Sequence, residues 1–157
     1  MNGIEEVALQ RGGCFGQCPA YEVAFFRDGS AWLHGKMFVK RLGTYQGTFS
    51  VADFDRLASL IHRSGFFTWN DDYPPSSTCI PPYELTVRHL DGGKRVRVWA
   101  DSPQPPGFER IARSIDRIAE AVKWWSEDDA NRAMGRSPLG EGLASQDEGS
   151  STTTADT

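Results

Sequence analysis

The sequence has few cysteines, no long hydrophobic run and no excess of basic charge. Its three cysteines leave one thiol unpaired if a disulfide forms. The N-terminus has neither the basic start nor the apolar segment of a secretory signal. No run approaches the roughly 18 apolar residues of a membrane-spanning helix. We therefore expect a cytoplasmic protein with no membrane span. Thiols in the cytoplasm are mostly kept reduced.

The net charge of −4 is unevenly distributed along the chain. Residues 1–125 hold 15 Lys and Arg against 14 Asp and Glu, whereas residues 126–157 hold two arginines against seven acids. The body of the protein is therefore nearly neutral. It lacks the basic groove with interleaved exposed aromatic residues that is typical of nucleic-acid binding. We expect no nucleic-acid partner.

The composition predicts one globular domain followed by a tail. The chain is 39% hydrophobic and includes five Trp and nine Phe, which supply enough apolar surface for a core of its own. From residue 126 onward the hydrophobic pattern ends, and Gly, Ser, Thr and acidic residues predominate. We predict an α+β domain over residues 1–125 and an acidic, disordered C-terminal tail over residues 126–157.

The sequence of the first half of the domain predicts four antiparallel strands. Alternating apolar residues over 4–11 predict a strand, and a hairpin follows over residues 21–34. The pair Asp28-Gly29 suits a two-residue type I′ turn, which would place Phe25 opposite Trp32. The next strand of the meander is predicted after Gly43, over Thr44 to Phe49.

A second hairpin is predicted over residues 83–100, with its turn at Asp91-Gly92. This register would place Val87 opposite Val96 and would divide the hairpin into an apolar and a polar face. The apolar face would carry Leu85, Val87, Val96 and Val98, and the polar face Glu84, Thr86, Arg88, Arg95 and Arg97. The arginines are either an anion-binding surface or an ordinary solvated sheet face.

Two amphipathic helices complete the predicted fold. Ser50 and Asp53 form a capping box at the start of the first helix, which we expect to end at Gly65 in a left-handed cap. The second helix carries an apolar stripe from Phe108 to Trp125. The sequence thus predicts an α+β fold with a mostly antiparallel sheet of about five to six strands and two helices packed on one face.

A long loop over residues 66–82 separates the first helix from the second hairpin. Its four prolines oppose regular structure, and loops of this length are often functional, so we expect a protein partner to bind here. Asp71 and Asp72 offer two carboxylates, but the further ligands of a calcium loop are missing. Solvated acidic residues are the alternative interpretation.

The strongest candidate for chemistry is a thiol site. Cys14 and Cys18 are separated by three residues, a spacing that matches neither thioredoxin-like motifs nor zinc knuckles. They are either a redox-responsive or metal-binding pair, or small side chains that fill a structural corner. Cys79 and His34 are the other members of the candidate site, if the fold brings them near Cys14. The sequence predicts no catalytic constellation, no metal site and no cofactor.

The chain resembles a bacterial domain family of unknown function. The similarity rests on residues 14–21 (CFGQCPAY), the Asp-Gly turn of the first hairpin, residues 35–40 (GKMFVK) and residues 65–67 (GFF), all in the family's order. It covers roughly residues 5–125. The resemblance implies no catalytic role. It implies that related proteins often carry a secretion or lipoprotein signal, so that their cysteine pair would be oxidised at the cell envelope.

These observations predict a small, non-enzymatic binding or interaction module. The alternative is a thiol-redox or metal-binding protein that uses Cys14 and Cys18.

Overall fold

The structure is a computed structural model that describes residues 3–12, 19–37, 39–73, 82–99 and 103–127. Within these ranges the chain forms eight β-strands and two α-helices. A short 3-10 turn, Phe66–Thr68, follows the first helix. In chain order the elements are β1 (Ile4–Arg11), β2 (Ala20–Phe26), β3 (Ser30–Met37), β4 (Gly43–Thr48), α1 (Val51–Arg63), β5 (Asp72–Tyr73), β6 (Tyr83–His89), β7 (Gly92–Val98), α2 (Phe108–Ala121) and β8 (Lys123–Ser126).

The chain divides into two compact units, Met1–Trp124 and Trp125–Thr157. The first contains β1 to β7 and both helices. Of the second, the structure describes only residues 125–127. The predicted disordered tail over residues 126–157 therefore lies almost entirely outside the described residues, and it stays a prediction.

The strands form one mixed sheet in the order β5-β7-β6-β1-β2-β3-β4-β8. The α+β class, the two helices and the mostly antiparallel sheet are confirmed, but the prediction of five to six strands is wrong. Both outermost strands are short. β5 has two residues and pairs in parallel with β7, whereas β8 has four. Neither is long enough to produce an alternating pattern, so sequence periodicity cannot detect them.

The first hairpin has a three-residue loop instead of the predicted two-residue turn. Phe25 pairs with Ala31 and not with Trp32, which leaves residues 27–29 as the loop. Gly29 closes it with φ at 90°, as in a type I turn followed by a left-handed glycine. The extra residue moves Trp32 to the face of the sheet opposite to Phe25.

The second hairpin has the predicted faces but a different register. Leu85 pairs with Val96, whereas the prediction paired Leu85 with Val98. The two-residue turn is Leu90-Asp91, one position earlier than expected. Because the register changes by two residues, each side chain stays on its predicted face. The four apolar side chains of this hairpin are all completely buried.

One hydrophobic core lies between the sheet and the helices. It is formed by alternate residues of the strands, which share one face of the sheet, and by the apolar stripes of both helices. The strands contribute mainly Val7, Leu9, Val23, Phe25, Ala31, Leu85, Val87, Val96 and Val98. The helices contribute Phe54, Leu57, Ala58, Ile61, Phe108, Ile111, Ile115 and Ile118. We call this face of the sheet the covered face.

The start and end of α1 agree with the prediction. The hydroxyl of Ser50 accepts hydrogen bonds from the backbone N–H groups of Ala52 and Asp53, at 3.1 and 3.4 Å. The carboxylate of Asp53 instead accepts a hydrogen bond from Arg56, so the capping box is only half formed. Gly65 adopts the predicted left-handed conformation after the last turn.

The second helix ends earlier than its apolar stripe predicts. It stops at Ala121, and Val122 has an extended backbone that leads into β8. The chain packs closely against the sheet here, because a Cβ atom on Gly47 would collide with the side chain of Val122 and the carbonyl of Lys123. The close approach requires glycine at this position of β4.

Candidate functional site

An arginine on the covered face of the sheet marks the candidate site. In β1, Val7 and Leu9 point into the core, and strand alternation places Arg11 on the same face. Its cross-strand neighbours are Tyr21 on β2 and Tyr83 on β6. The sheet therefore brings one guanidinium and two phenol rings together at the end of the core.

The guanidinium of Arg11 lies between the two tyrosine rings. Its carbon is 4.7 Å from the ring centre of Tyr83 and 5.6 Å from that of Tyr21, within the range of cation–π attraction. Nη2 donates a hydrogen bond to the Tyr83 hydroxyl at 2.8 Å. Nε is buried and has no hydrogen-bond acceptor among the described residues. The two tyrosines thus hold Arg11 in a fixed orientation. Among the described residues, no carboxylate is bonded directly to it.

Helix α2 supplies the acidic side of the site. Ile115 and Ile118 anchor the helix in the core, and Asp116 lies beside them at the exposed rim. The Tyr21 hydroxyl donates a hydrogen bond to Oδ1 of Asp116 at 3.0 Å. Tyr21 therefore separates the positive charge of Arg11 from the negative charge of Asp116.

Two open cavities meet at these residues, and both are lined by Arg11, Tyr21 and Asp116. The first has a volume of about 240 Å³, and its other walls include Leu9, Tyr83, Phe108 and Ala112. The second has a volume of about 400 Å³, and its other walls include Leu33, Val39, Lys40, Arg41, Ala119 and Trp124. We call the two cavities together the Arg11 cleft.

Close packing around a glycine positions one wall of the second cavity. Gly35 on β3 lies opposite Tyr21, and a Cβ atom on it would collide with the carbonyl of Arg41 and the side chain of Val39. The segment after β3 therefore packs directly against the sheet. This contact brings Lys40 and Arg41 to the cleft.

The environment of the cleft changes the pKa values of Tyr21 and Arg11. Burial and the nearby Asp116 carboxylate together raise the pKa of Tyr21 to about 12, although the interactions with Arg11 oppose the shift. For Arg11, burial lowers the pKa, but its interactions with Tyr21 and Tyr83 outweigh burial and leave the pKa raised. At neutral pH the cleft therefore contains a charged guanidinium and a protonated phenol.

The predicted thiol site is only partly within the described residues. Cys14, Cys18 and Cys79 lie outside them. His34 lies on the face of the sheet opposite to the core, stacked on Trp32 at 6.1 Å between ring centres. Its Nδ1 is 2.8 Å from the Thr44 hydroxyl. His34 therefore lies on the other side of the sheet from the Arg11 cleft.

The arginines of the second hairpin are paired with acidic side chains. Arg88 binds Glu6 and Arg97 binds Asp72, each at 2.7 Å, and Arg95 lies 3.6 Å from Glu84. Asp71 lies 3.5 Å from the ammonium of Lys94. These pairs favour the interpretation of a solvated, charge-balanced sheet face over that of an anion-binding surface.

The aromatic residues at the start of the predicted partner loop belong to the core. Phe66 is completely buried and Trp69 is 8% exposed, with its Nε1 donating to the carbonyl of Ser64 at 3.2 Å. The loop over residues 66–82 also contains β5, so the prediction of an irregular loop is wrong for its first half. Residues 74–81 lie outside the described residues.

The sequence pattern alone does not predict the Arg11 cleft. The available signal was strand alternation, because a charged residue at Arg11 continues the inward-facing positions of Val7 and Leu9. Tyr83 likewise continues the series of Leu85 and Val87. The hydrophobic pattern predicts the core, but it does not predict that the polar residues at the ends of these strands meet.

The described ranges contain neither a cluster of metal ligands nor a helix able to span a membrane. Among these residues, no group of three or more His, Cys, Asp or Glu side chains is arranged to hold a metal ion. None of the helices in these ranges combines the length and the apolar character needed to span a membrane.

Comparison with known proteins identifies the family. No curated protein matches the chain. A family model described as a domain of unknown function, DUF6438, matches residues 5–119, which is more than half of the sequence. This range includes Arg11, Tyr21, Tyr83 and Asp116. The chain therefore belongs to the DUF6438 family of domains of unknown function.

Proposed function

We propose that this domain is a non-enzymatic binding module and that its ligand binds in the Arg11 cleft. The observation that carries the proposal is the position of Arg11, a charged side chain on the covered face of the sheet at the junction of two cavities. Ligand sites are commonly concave, largely apolar and equipped with a few fixed polar groups. The cleft is concave, has fixed polar groups and combines apolar with charged lining residues.

The polar groups of the cleft are fixed before any ligand arrives. Tyr21 and Tyr83 hold the guanidinium of Arg11 from two sides, and Tyr21 is itself hydrogen-bonded to Asp116. A ligand therefore orders few additional side chains when it binds, which lowers the entropic cost of association. This arrangement supports binding rather than a purely structural role.

A fragment screen by NMR tests the proposal on the full chain. We expect fragments to shift the ring resonances of Tyr21 and Tyr83, and Arg11→Met to weaken the best of them at least tenfold. Arg95→Met is the matched control, because it removes an arginine on the opposite face of the sheet, and we expect it to leave binding unchanged. Fragments that bind only outside the cleft, or equally well to Arg11→Met, would contradict the proposal.

The thiol-redox or metal-binding function of Cys14 and Cys18 stays a prediction, as does a protein partner at the loop over residues 66–82. Thiol titration with mass spectrometry checks the first. Two ordinary, unreactive thiols with no bound metal would refute it. The cytoplasmic location and the bacterial origin also stay predictions.

A further inference from the structure

We infer that the Arg11 cleft binds a single carboxylate at Arg11 and that the apolar body attached to this carboxylate occupies the second cavity. The inference rests on the proposed function, because it specifies the ligand of the same cleft. It is derived from the charges around Arg11, the geometry of its guanidinium and the walls of the second cavity.

The charges of the first cavity favour a ligand group with one negative charge. Arg11 is the cation held between the tyrosine rings, and the carboxylate of Asp116 lies at the rim of the same cavity. Arg113 lies 3.3 Å from Glu109, so these two lining residues largely neutralise each other. Within the first cavity, a doubly charged phosphate would meet Arg11 and the nearby carboxylate of Asp116, whereas a monoanion needs only Arg11. The two other basic residues of the cleft, Lys40 and Arg41, line the second cavity instead.

The geometry of Arg11 favours a planar anion. A guanidinium presents its N–H donors in a flat fork that matches the two oxygens of a carboxylate. The rings of Tyr21 and Tyr83 restrict the plane of this fork. The Tyr83 hydroxyl accepts a hydrogen bond from Arg11 and also has a proton that it can donate to the ligand.

The second cavity indicates what the carboxylate is attached to. Besides the residues that it shares with the first cavity, its walls include the apolar side chains of Leu33, Val39 and Trp124 and the charged ones of Lys40, Arg41 and Glu120. At about 400 Å³ it has the volume of a small-molecule site. An extended apolar chain that begins at Arg11 and passes Tyr21 would be buried against these side chains. Two sources fit this chemistry, a free aliphatic acid and the C-terminus of a peptide.

A chain-length series tests the inference directly. Butanoate, hexanoate and octanoate are titrated into the full chain and followed through the NMR resonances of Tyr21, Tyr83 and Trp124. We expect the affinity to rise by about two- to fourfold for each added methylene, because each is removed from water in the second cavity. Octanol, octylamine and octyl phosphate share the chain but differ in head group, and we expect each to bind at least tenfold more weakly than octanoate.

Variants separate the two parts of the inference. Arg11→Met should weaken all three acids at least tenfold, and Arg11→Lys, which keeps the charge but loses the fork, should weaken them less. Val39→Ser changes a loop residue of the second cavity, so it should weaken octanoate but not butanoate. Equal affinity for short and long acids, or no effect of Val39→Ser on octanoate, would overturn the assignment of the second cavity.

A peptide pair identifies the source of the carboxylate. An acetylated pentapeptide of alanine and leucine is compared with its C-terminally amidated form. Selective binding of the free acid in the cleft would assign the site to peptide C-termini, whereas binding of octanoate alone would assign it to aliphatic acids. If octylamine or octyl phosphate binds in the cleft and both kinds of carboxylate fail, the inference is wrong but the proposed function stands. If no probe or fragment binds in the cleft, both are wrong.

Discussion

Two rows of residues on the covered face of the sheet differ sharply, although the same strands form them. In the central row, Val7, Phe25 and Val87 are adjacent across three strands and are completely buried. Four residues further along β1, the corresponding row consists of Arg11, Tyr21 and Tyr83. Register therefore groups polar side chains as reliably as it groups apolar ones.

The two rows differ because the helices do not cover them equally. The central row is covered by large apolar side chains of both helices, which leave no room for a ligand. Phe108 of α2 stacks on Tyr83 at one end of this row, at 6.0 Å between ring centres. Above the rest of the row, α2 presents the small Ala112 and Ala119 and the polar Asp116. The space left between small residues and the sheet becomes the Arg11 cleft.

Phe25→Ala removes a buried ring from the central row and should have the largest effect on stability. Its ring is completely buried and packs edge to face with Phe49 at 5.1 Å, so its removal leaves a cavity in the core. We expect the free energy of unfolding to fall by about 3–5 kcal/mol, measured by urea denaturation. Tyr21→Phe is the comparison in the end row, and a loss as large as that of Phe25→Ala would show that the two rows are equivalent.

Gly47→Ala tests the packing of the chain after α2 against the sheet. The added Cβ would collide with Val122 and with the backbone carbonyl of Lys123, which must move apart. We expect destabilisation by about 1–3 kcal/mol in the same urea assay. Thr48→Ala, at the exposed neighbouring position of β4, is the control and should change stability by no more than about 0.5 kcal/mol. Equal effects of the two substitutions on stability would refute the close packing of Val122 and Lys123 against Gly47.

Tyr21→Phe tests the end row through the pH dependence of stability, and it has the smallest expected effect on the free energy of unfolding. The pKa of Tyr21 is raised to about 12 from its ordinary value near 10. Between these values the unfolded chain loses the phenol proton while the folded chain keeps it. The contribution to stability is therefore fully present below about pH 10 and is lost as the pH rises towards 12.

Urea midpoints measured between pH 8 and pH 11 check this prediction. The midpoint of the native protein should fall more steeply with pH than that of Tyr21→Phe, because the variant lacks the shifted phenol. Parallel pH profiles for the two proteins would contradict the raised pKa. The variant also loses the hydrogen bond to Asp116, so only the difference in slope is informative.

Much of the fold could be predicted because its signals are local. The Ser50 cap, the left-handed Gly65 and the faces of the second hairpin each depend on a few neighbouring residues. The registers were harder, since a shift of one or two residues changes the loop but leaves each strand's pattern intact. In the first hairpin this shift moved Trp32 opposite Ala24 rather than Phe25.

The candidate site could not be predicted as an assembly. Arg11 and Tyr83 are 72 positions apart, and Asp116 lies on a helix near the end of the domain. No spacing rule joins residues that distant. Strand alternation indicated which way each side chain points, but only pairing of β1 with both β2 and β6 brings them together.

The sequence by itself determined the α+β class, the two amphipathic helices and the apolar residues of the core, because periodicity and caps are properties of short segments. Tertiary structure alone decided the strand order, the short strands β5 and β8, and the meeting of Arg11, Tyr21, Tyr83 and Asp116. These features depend on long-range packing, in which the small residues of α2 leave space above the end of the sheet. The register of β2 and β3 places His34 on the opposite face of the sheet, and packing makes Phe66 and Trp69 part of the core.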